Sequence, residues 1–472
     1  MISNLDFFSE VQVAGYQLYS LAPRPPAVKA GQLLKLLKHC VYNLARCGGL
    51  LITLLFPLLF SGCPDSGVNP PPNPLGLTVE NVTSTQAFLK LSLDQSETQR
   101  VVTLKRGDST VFSDLRLLTS DTLVVDEGLL PNKTYTYTLG YQSFIVTAQT
   151  TTMDTTSHDI TWQSWTFGGE PGTGSSTLYD VSIINDTLAY AVGEIYLKDS
   201  LGNFDPNAYN LMKWNGHGWK LLRVKFYTVC GQESRSSYSA SSIFVFSESD
   251  IWIAMAGDQI ARWDGNKQTA TMCLPVSFSV RKIWGESTNS VYVVGDGGNI
   301  LHYTNGLWAK IESGTAAPII DIWGVVNNGT TVYCAVNDYF HAGNTKILTI
   351  TESGKVDSLP WETDLRVSSV WTKNGYNLYA CGDRIFKREA GTWQQLSVPL
   401  YYYETIRGNE ENNIIAVGQG GIVVHYNGRT WQNYPDLLMN DVVYYGLDVK
   451  NHTIVLVGLK GAQAIVTIGK QQ

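Results

Sequence analysis

Oxygen donors and aromatic rings crowd into one stretch, EIYLKDSLGNFDPNAYN from Glu194 to Asn210. Asp199, Asn203, Asp205 and Asn207 stand there at near-alternate positions, and carboxylate and amide oxygens are the donors that Ca²⁺ takes. Asp199, Asn203 and Asp205 form the one weak calcium option, but they lack the spacing of an EF-hand loop, so no metal is expected. Tyr196, Phe204 and Tyr209 add ring faces able to stack on sugars or apolar side chains. A second stretch, VCGQESRSSYSA from Val229 to Ala240, contributes Glu233 and Arg235 and should rise beside the first. Together these residues read as a binding loop, because long insertions on a rigid framework are where recognition surfaces are built.

Covalent chemistry finds no such cluster. The chain contains no G-x-S-x-G, no H-E-x-x-H, no Walker loop and no cysteine pair at metal spacing, so neither catalytic residues nor a cofactor is expected. Gly295-Asp296-Gly297-Gly298-Asn299 is glycine-rich, yet it joins two strand-like runs and opens no helix, which leaves a phosphate without its cradle. Of seven cysteines, Cys334 and Cys381 lie in apolar runs and read as buried small hydrophobes. Cys230 and Cys273 lie in loop-like stretches and are candidates for a disulfide. Lys213, Arg262, His302, Lys387 and His425 recur near the ends of similar segments, either as an anion-binding belt or, the better reading, as a structural column bridging repeats. Tyr401-Tyr402-Tyr403 and Tyr444-Tyr445 offer stacking faces, although strand alternation must turn about half of them into the core.

These residues have to be positioned by the repeat they belong to. KIWGESTNSVYVVGDGGNILHYTNGLW, from Lys282 to Trp308, holds an aliphatic–aromatic pair, a polar turn, an apolar run closed by glycine, an alternating strand, an Asn-Gly turn and a tryptophan. Aligned on the residue that closes the apolar run, the pattern returns at Gly193, Gly257, Gly295, Val336, Gly382, Gly418 and Gly458, a period of about 40 residues. Eleven positions earlier stand Ser182, Phe246, Trp284, Trp371, Arg407 and Leu447, with Trp323 in the longer fourth repeat. The apolar runs (AYAV, IAMA, VYVV, VYCAV, LYAC, IIAV, IVLV) are continuous, so both faces of each second strand should be buried. The last repeat lacks a fourth strand, and an orphan strand from Ile160 to Phe167, carrying Trp162 and Trp165, precedes the first. This array resembles a seven-bladed β-propeller of YCF48, BNR or kelch-like repeat type, closed by its N-terminal strand and spanning 158–472. Asn427-Gly428-Arg429-Thr430-Trp431 resembles the latter half of a sialidase Asp-box, but Val424 and Tyr426 replace its Ser and Asp, so only the turn carries over.

Upstream, 75–153 reads as six short alternating strands with polar turns. Leu129-Leu130-Pro131-Asn132-Lys133-Thr134-Tyr135 resembles the corner of a fibronectin type III domain, which implies a small β-sandwich and a structural tyrosine hydroxyl. The tryptophan usual on that family's second strand is absent, with Phe88 or Leu91 in its place. Arg106-Gly107-Asp108 spells an integrin tripeptide on a hairpin turn, where all three are ordinary turn residues.

Residues 1–62 read as a leader: Lys35, Lys38, His39 and Arg46 precede an apolar run from Gly48 to Phe60, too short to span a bilayer comfortably. Leu59-Phe60-Ser61-Gly62-Cys63 resembles a bacterial lipobox, which implies acylation of Cys63. The proline-rich DSGVNPPPNP within 63–74 then forms an extended spacer of roughly 30 Å. Removing 1–62 takes away five basic residues (Arg24, Lys29, Lys35, Lys38, Arg46) and two acidic ones (Asp6, Glu10), moving the net charge from −7 to −10. A nucleic-acid partner is not expected from that balance. The expectation is an all-β, lipid-anchored protein of a bacterial cell envelope, with the membrane as one partner and a glycan or envelope protein as the other, bound without catalysis. A propeller-type carbohydrate-active enzyme is the alternative, and a structural spacer a second one.

Overall fold

The computed structural model describes residues 73–94, 100–327, 329–338, 344–361, 363–389 and 391–472, together with the backbone of Leu18–Ser20. Cys63 and the spacer lie outside the described residues. Leu18–Ser20, within the stretch read as a leader, pair as a short strand against Thr122–Val124.

Residues 75–151 fold as two antiparallel sheets. Leu75–Val82, Gln86–Leu93 and Asp121–Glu127 lie in one; Ser109–Arg116, Val101–Arg106, Thr134–Tyr141 and Phe144–Thr151 make the other. Inward residues at every second position fill the space between them, with Leu89, Leu91, Leu104, Tyr137 and Leu139 fully buried. Each such side chain contributes roughly 1.5–3 kcal/mol on leaving water. Leu91 lies in this core, whereas Phe88 packs outward on Tyr376 with ring centroids 4.9 Å apart. The Tyr135 hydroxyl accepts the Leu130 N–H at 2.9 Å. Arg106 turns inward and holds buried Asp126 through two bonds of 2.9 Å, so the guanidinium of the Arg-Gly-Asp turn is engaged inside the sandwich.

Seven four-stranded antiparallel sheets follow. Their inner strands are Thr177–Asn185, Ala240–Ser247, Val280–Ser287, Ile319–Val326, Val367–Trp371, Tyr403–Glu410 and Val442–Lys450. Each packs on the next, and the seventh packs on the first. Ile160–Phe167 pairs with Gln463–Gln471 from Phe167↔Ala464 to Ile160↔Gln471, giving the seventh blade its fourth strand and closing the ring. The second strands are buried along most of their length, as their continuous apolar runs require, with Thr331 and Tyr333 of the fourth only half-buried. Aromatic side chains of the inner strands reach across to the next blade, and glycine admits them. A Cβ at Gly324 would stand 2.3 Å from the Trp284 ring, and one at Gly408 would stand 3.0 Å from Trp371.

Two repeats are out of step with the sequence alignment. Blade 2 closes at Met255, which pairs with Ala240, so Phe244 and not Phe246 occupies the channel-side position opposite Trp252. Gly257 belongs to the turn beyond the strand. In blade 7 the channel-side residue is Asp448, opposite Val455, and not Leu447. Its first hairpin closes tightly at Lys450↔Thr453 with Asn451 in the left-handed region (φ 52°), without the extra residue that blade 6 carries near Gly408.

The sandwich is seated under blades 5 and 6. The Gln86 side chain bonds Asn377 at 3.2 Å, Lys387 at 3.1 Å and Glu389. Asn412 donates to the Asp154 carbonyl at 2.8 Å, and Thr156 donates to the Asn412 carbonyl at 2.6 Å. Gly428 lies so close to Ser84 that a Cβ would stand 2.3 Å from its Oγ, which is why the Asn427-Gly428 turn admits no larger residue. All these propeller residues belong to or flank the hairpin turns of one face, and the loops that include Glu194–Asn210 emerge on the other.

Candidate functional site

Every inner strand carries one extra residue at the same place. The register slips between Leu178 and Asp180, Ala240 and Ser242, Val280 and Lys282, Ile319 and Asp321, Val367 and Ser369, Tyr403 and Thr405, and Tyr444 and Gly446. Such bulges twist a strand and re-aim the side chain that has no partner. The seven bulged residues, Tyr179, Ser241, Arg281, Ile320, Ser368, Glu404 and Tyr445, all line a cavity of about 570 Å³ at the loop-face mouth of the central channel. Ser239, Ser279, Asn337, Asp338 and Tyr402 also line it.

One residue further on, the inner strands build the floor. Asp180 accepts bonds from the Ser242 hydroxyl (2.7 Å) and the Ile243 N–H (2.9 Å) of blade 2, and pairs with Lys282 of blade 3 at 2.6 Å. Three blades on, Asp321 accepts from the Ser369 hydroxyl (2.6 Å) and the Val370 N–H (3.0 Å) and pairs with Arg407 at 2.6 Å. The same clasp is thus made twice around the ring, each joining three blades. Burial alone would raise the Asp321 carboxyl, but Arg407 and Ser369 hold it below its usual range. These four charged side chains separate the mouth from a smaller cavity of about 180 Å³ lined by Phe244, Trp284, Trp323 and Asp448.

The cations at and around the mouth are paired within the protein. Arg281 bonds Asp296 at 2.8 Å, and Arg366, stacked 4.7 Å from the Tyr402 ring, pairs with Asp383 at 2.7 Å. Burial raises the Glu404 carboxyl above its usual range, against a bond from Gln419 at 3.2 Å. Burial and the neighbouring Glu194 carboxylate likewise raise the Tyr179 hydroxyl, which donates to Glu194 at 2.9 Å. Besides the carboxyls of Glu404 and Asp338, the cavity therefore offers a ligand ring faces and hydroxyl and amide groups. Among the described residues, the Phe, Tyr and Trp side chains at least 36% exposed all lie on this face: Phe204 at 48%, Tyr238 at 39% and Tyr401 at 36%.

None of the loop residues singled out in the sequence lines the cavity itself. Glu194 links them to it, since its other oxygen accepts the Tyr196 hydroxyl at 3.2 Å. Tyr196 packs on Phe204 with centroids 5.9 Å apart. The Asp199 carboxylate caps the N–H groups of Leu201 and Asn203 at 2.9 and 2.8 Å. Asp205 binds the Asn207 N–H and Arg223, whose guanidinium stacks 4.0 Å from Tyr209. These oxygens close the loop on itself, and no metal-holding group of three His, Cys, Asp or Glu occurs among the described residues. The two loops do meet, through Ser236 to Asn207 at 3.3 Å and Asn210 to the Tyr238 carbonyl at 2.7 Å. Arg235 stacks on Tyr227 at 4.1 Å, and Glu233 is exposed. Cys230 and Cys273 are joined by a disulfide with an S–S distance of 2.06 Å, tying this loop to blade 2.

The recurring basic residues form no belt at the mouth. Lys213, Arg262 and His302 each lie on the aromatic opposite them in the neighbouring strand, Tyr190, Trp252 and Tyr292. Lys387 bonds Gln86 of the sandwich, and His425 is buried against His158. Of the tyrosine runs, Tyr403 and Tyr444 are fully buried, while Tyr402 and Tyr445 reach the mouth.

No protein-family model matches the chain, and no curated protein matches it. Solved structures similar to it include YCF48 bound to a D1 peptide, 16% identical over 66% of this chain and 95% of that one with a TM-score of 0.49. YCF48 from Cyanidioschyzon merolae is 13% identical over 65% and 98%, with a TM-score of 0.48. The WD40 propeller domain of Doa1 is 14% identical over 66% and 97%, with a TM-score of 0.45. The class of fold rests on the seven closed sheets themselves: the chain is an all-β protein whose larger part is a β-propeller.

Proposed function

We propose that this protein is a non-enzymatic recognition protein that binds carbohydrate at the loop-face mouth of its propeller. The observation that carries the reading is the chemistry of the mouth. Tyr179, Tyr402 and Tyr445 form one arc of the wall on blades 1, 6 and 7, serine hydroxyls and the Asn337 amide line it on blades 2 to 5, and the nearby cations are bound to carboxylates of the protein. Sugars present apolar ring faces and neutral hydroxyls, which such a wall matches. A glycan array probed with the chain from Ser66 onward should give binding that a Tyr402→Ala/Tyr445→Ala variant loses; an array without signal contradicts the reading.

Envelope anchoring belongs to the same proposal. Acylation at Cys63 and the proline-rich spacer would place the membrane before the sandwich, whose sheet orders and Tyr135 corner support a fibronectin type III-like assignment. Leu75–Val82 runs toward the propeller and leaves Asn73 about 25 Å away at the far end. An anchored chain would thus hold the mouth away from the bilayer. Metabolic labelling with a fatty-acid analogue, lost in Cys63→Ser, tests the anchor. A second reading, cleavage of carbohydrate, has Glu404 in its favour, since a carboxyl raised by burial suits a general acid. Glu404→Gln would then abolish product release and leave binding intact.

A further inference from the structure

We infer that the mouth selects glycans that carry a protonated amine, with the Glu404 carboxylate as the group that receives it. The inference rests on the carbohydrate reading above and names the class of sugar.

Unbalanced charge is the first argument. Of the charged side chains lining the cavity, Arg281 is paired with Asp296, Lys282 with Asp180 and Asp321 with Arg407. Glu404 lines it too and forms no ion pair among the described residues. The Arg366 guanidinium acts on Glu404 through its field but is bonded to Asp383 at 2.7 Å. Asp338 adds a second carboxyl to the lining, so the mouth leans acidic once its internal pairs are set aside.

Reach is the second. Glu404 is the bulged residue of blade 6, standing between the paired Tyr403 and Thr405, and a bulge re-aims the side chain that has no partner. Its Oε1 accepts from Gln419 Nε2 at 3.2 Å, while Oε2 has no protein donor among the described residues and keeps surface open to solvent. Burial already raises this carboxyl, with Gln419 and Arg366 acting against it. A ligand that covers Oε2 strips away its remaining water. A sugar hydroxyl would return one hydrogen bond and leave the charge unbalanced, whereas an ammonium returns both the bond and the opposite charge.

The neighbouring ring faces suit the same group. Thr405 donates to the Tyr445 carbonyl at 2.5 Å, which fixes the blade 7 bulge beside that of blade 6, and the Tyr445 ring lies 6.2 Å from that of Tyr179. Tyr402 already holds the Arg366 cation 4.7 Å from its ring. Tyrosine faces attract ammonium groups as well as sugar rings. The chain's net charge of −7 favours the approach of a cation.

The experiment is a glycan array that includes free-amine and N-acetylated forms of the same amino sugars, read with the full chain in detergent, followed by affinity measurements on the glycans that bind. The inference predicts that N-acetylation of the bound amine weakens affinity at least tenfold. Glu404→Gln should lose a similar factor for the free-amine form, at an unchanged melting temperature, and nothing for the acetylated form. Should that variant misfold, the paired glycans still decide the matter on the parent chain. If glycans bind but the acetylated form binds as tightly as the free amine, or a folded Glu404→Gln keeps full affinity for the free amine, amine selection at Glu404 is wrong and the carbohydrate reading stands. If no glycan binds at all, both fall.

Discussion

Asp321 and Arg407 show how much of this molecule is decided by single residues at the channel axis. Both side chains are at most 6% exposed, and each depends on the other for compensation of a buried charge. Asp321→Asn should therefore destabilise the propeller by about 3–5 kcal/mol in urea unfolding; a loss below about 1 kcal/mol would mean that the clasp holds nothing. His425 gives a prediction in pH. Asn413 Oδ1 accepts from His425 Nε2 at 3.0 Å, which leaves His425 Nδ1 to accept from His158 Nδ1 at 2.9 Å. Burial, then the adjacent His158, lowers the His425 imidazole to about 3. The neutral arrangement is thus fully stabilising above the ordinary histidine value near 6.5 and is lost as pH falls from there toward 3. His425→Gln should flatten that limb of a melting-temperature profile, and an unchanged slope would count against it. Little of this was legible beforehand. A polar doublet before an aliphatic, as in Tyr179-Asp180-Val181, Ser368-Ser369-Val370 and Glu404-Thr405-Ile406, does mark the bulge and the floor. Nothing in the spacing says that Asp321 meets a residue 86 positions away.

At the scale of the strand and the hairpin, the repeat was readable because its signals are local. Apolar runs mark second strands, and Asn-Gly or Asp-Gly marks tight turns whose central residues need positive φ. Counting back from a glycine failed in blade 2 because Gly257 lies two residues past the closing Met255, and in blade 7 because the hairpin is one residue shorter, which reverses the face a side chain takes. The seating of the sandwich was illegible for another reason: Gln86 meets Asn377, Lys387 and Glu389 about 300 positions away, through contacts no local pattern encodes. Glu411 lies at this seat, its carboxyl accepting from Asn377 at 3.2 Å. Burial raises it to about 7, only partly offset by Lys387. Because the folded value is raised, the seat is strongest below the ordinary carboxyl value of 4.5, weakens as pH rises to about 7 and is level beyond. Glu411→Gln should remove that slope and stabilise the protein at pH 8 by up to about 3 kcal/mol. Equal melting profiles for variant and parent would show the carboxyl to be solvated.

For the molecule as a whole, closure gives the two faces their different roles. The orphan strand at Trp162 and Trp165 was recognisable as the missing piece of blade 7 because four other blades place a tryptophan on their fourth strand. The seat at Gln86 and the hairpin turns occupy one face, and the bulges open the other. Sequence pointed to the blade 1 insertion as the binding surface, yet its polar groups are spent on its own turns and it serves as a flank to Tyr179 through Glu194. The central claim is that recognition happens at the mouth framed by Tyr179, Tyr402 and Tyr445. Its most direct test is the affinity of Tyr402→Ala/Tyr445→Ala for a glycan that the parent chain binds. A loss of at least tenfold with an unchanged melting temperature is predicted, and full affinity in that folded variant would contradict it.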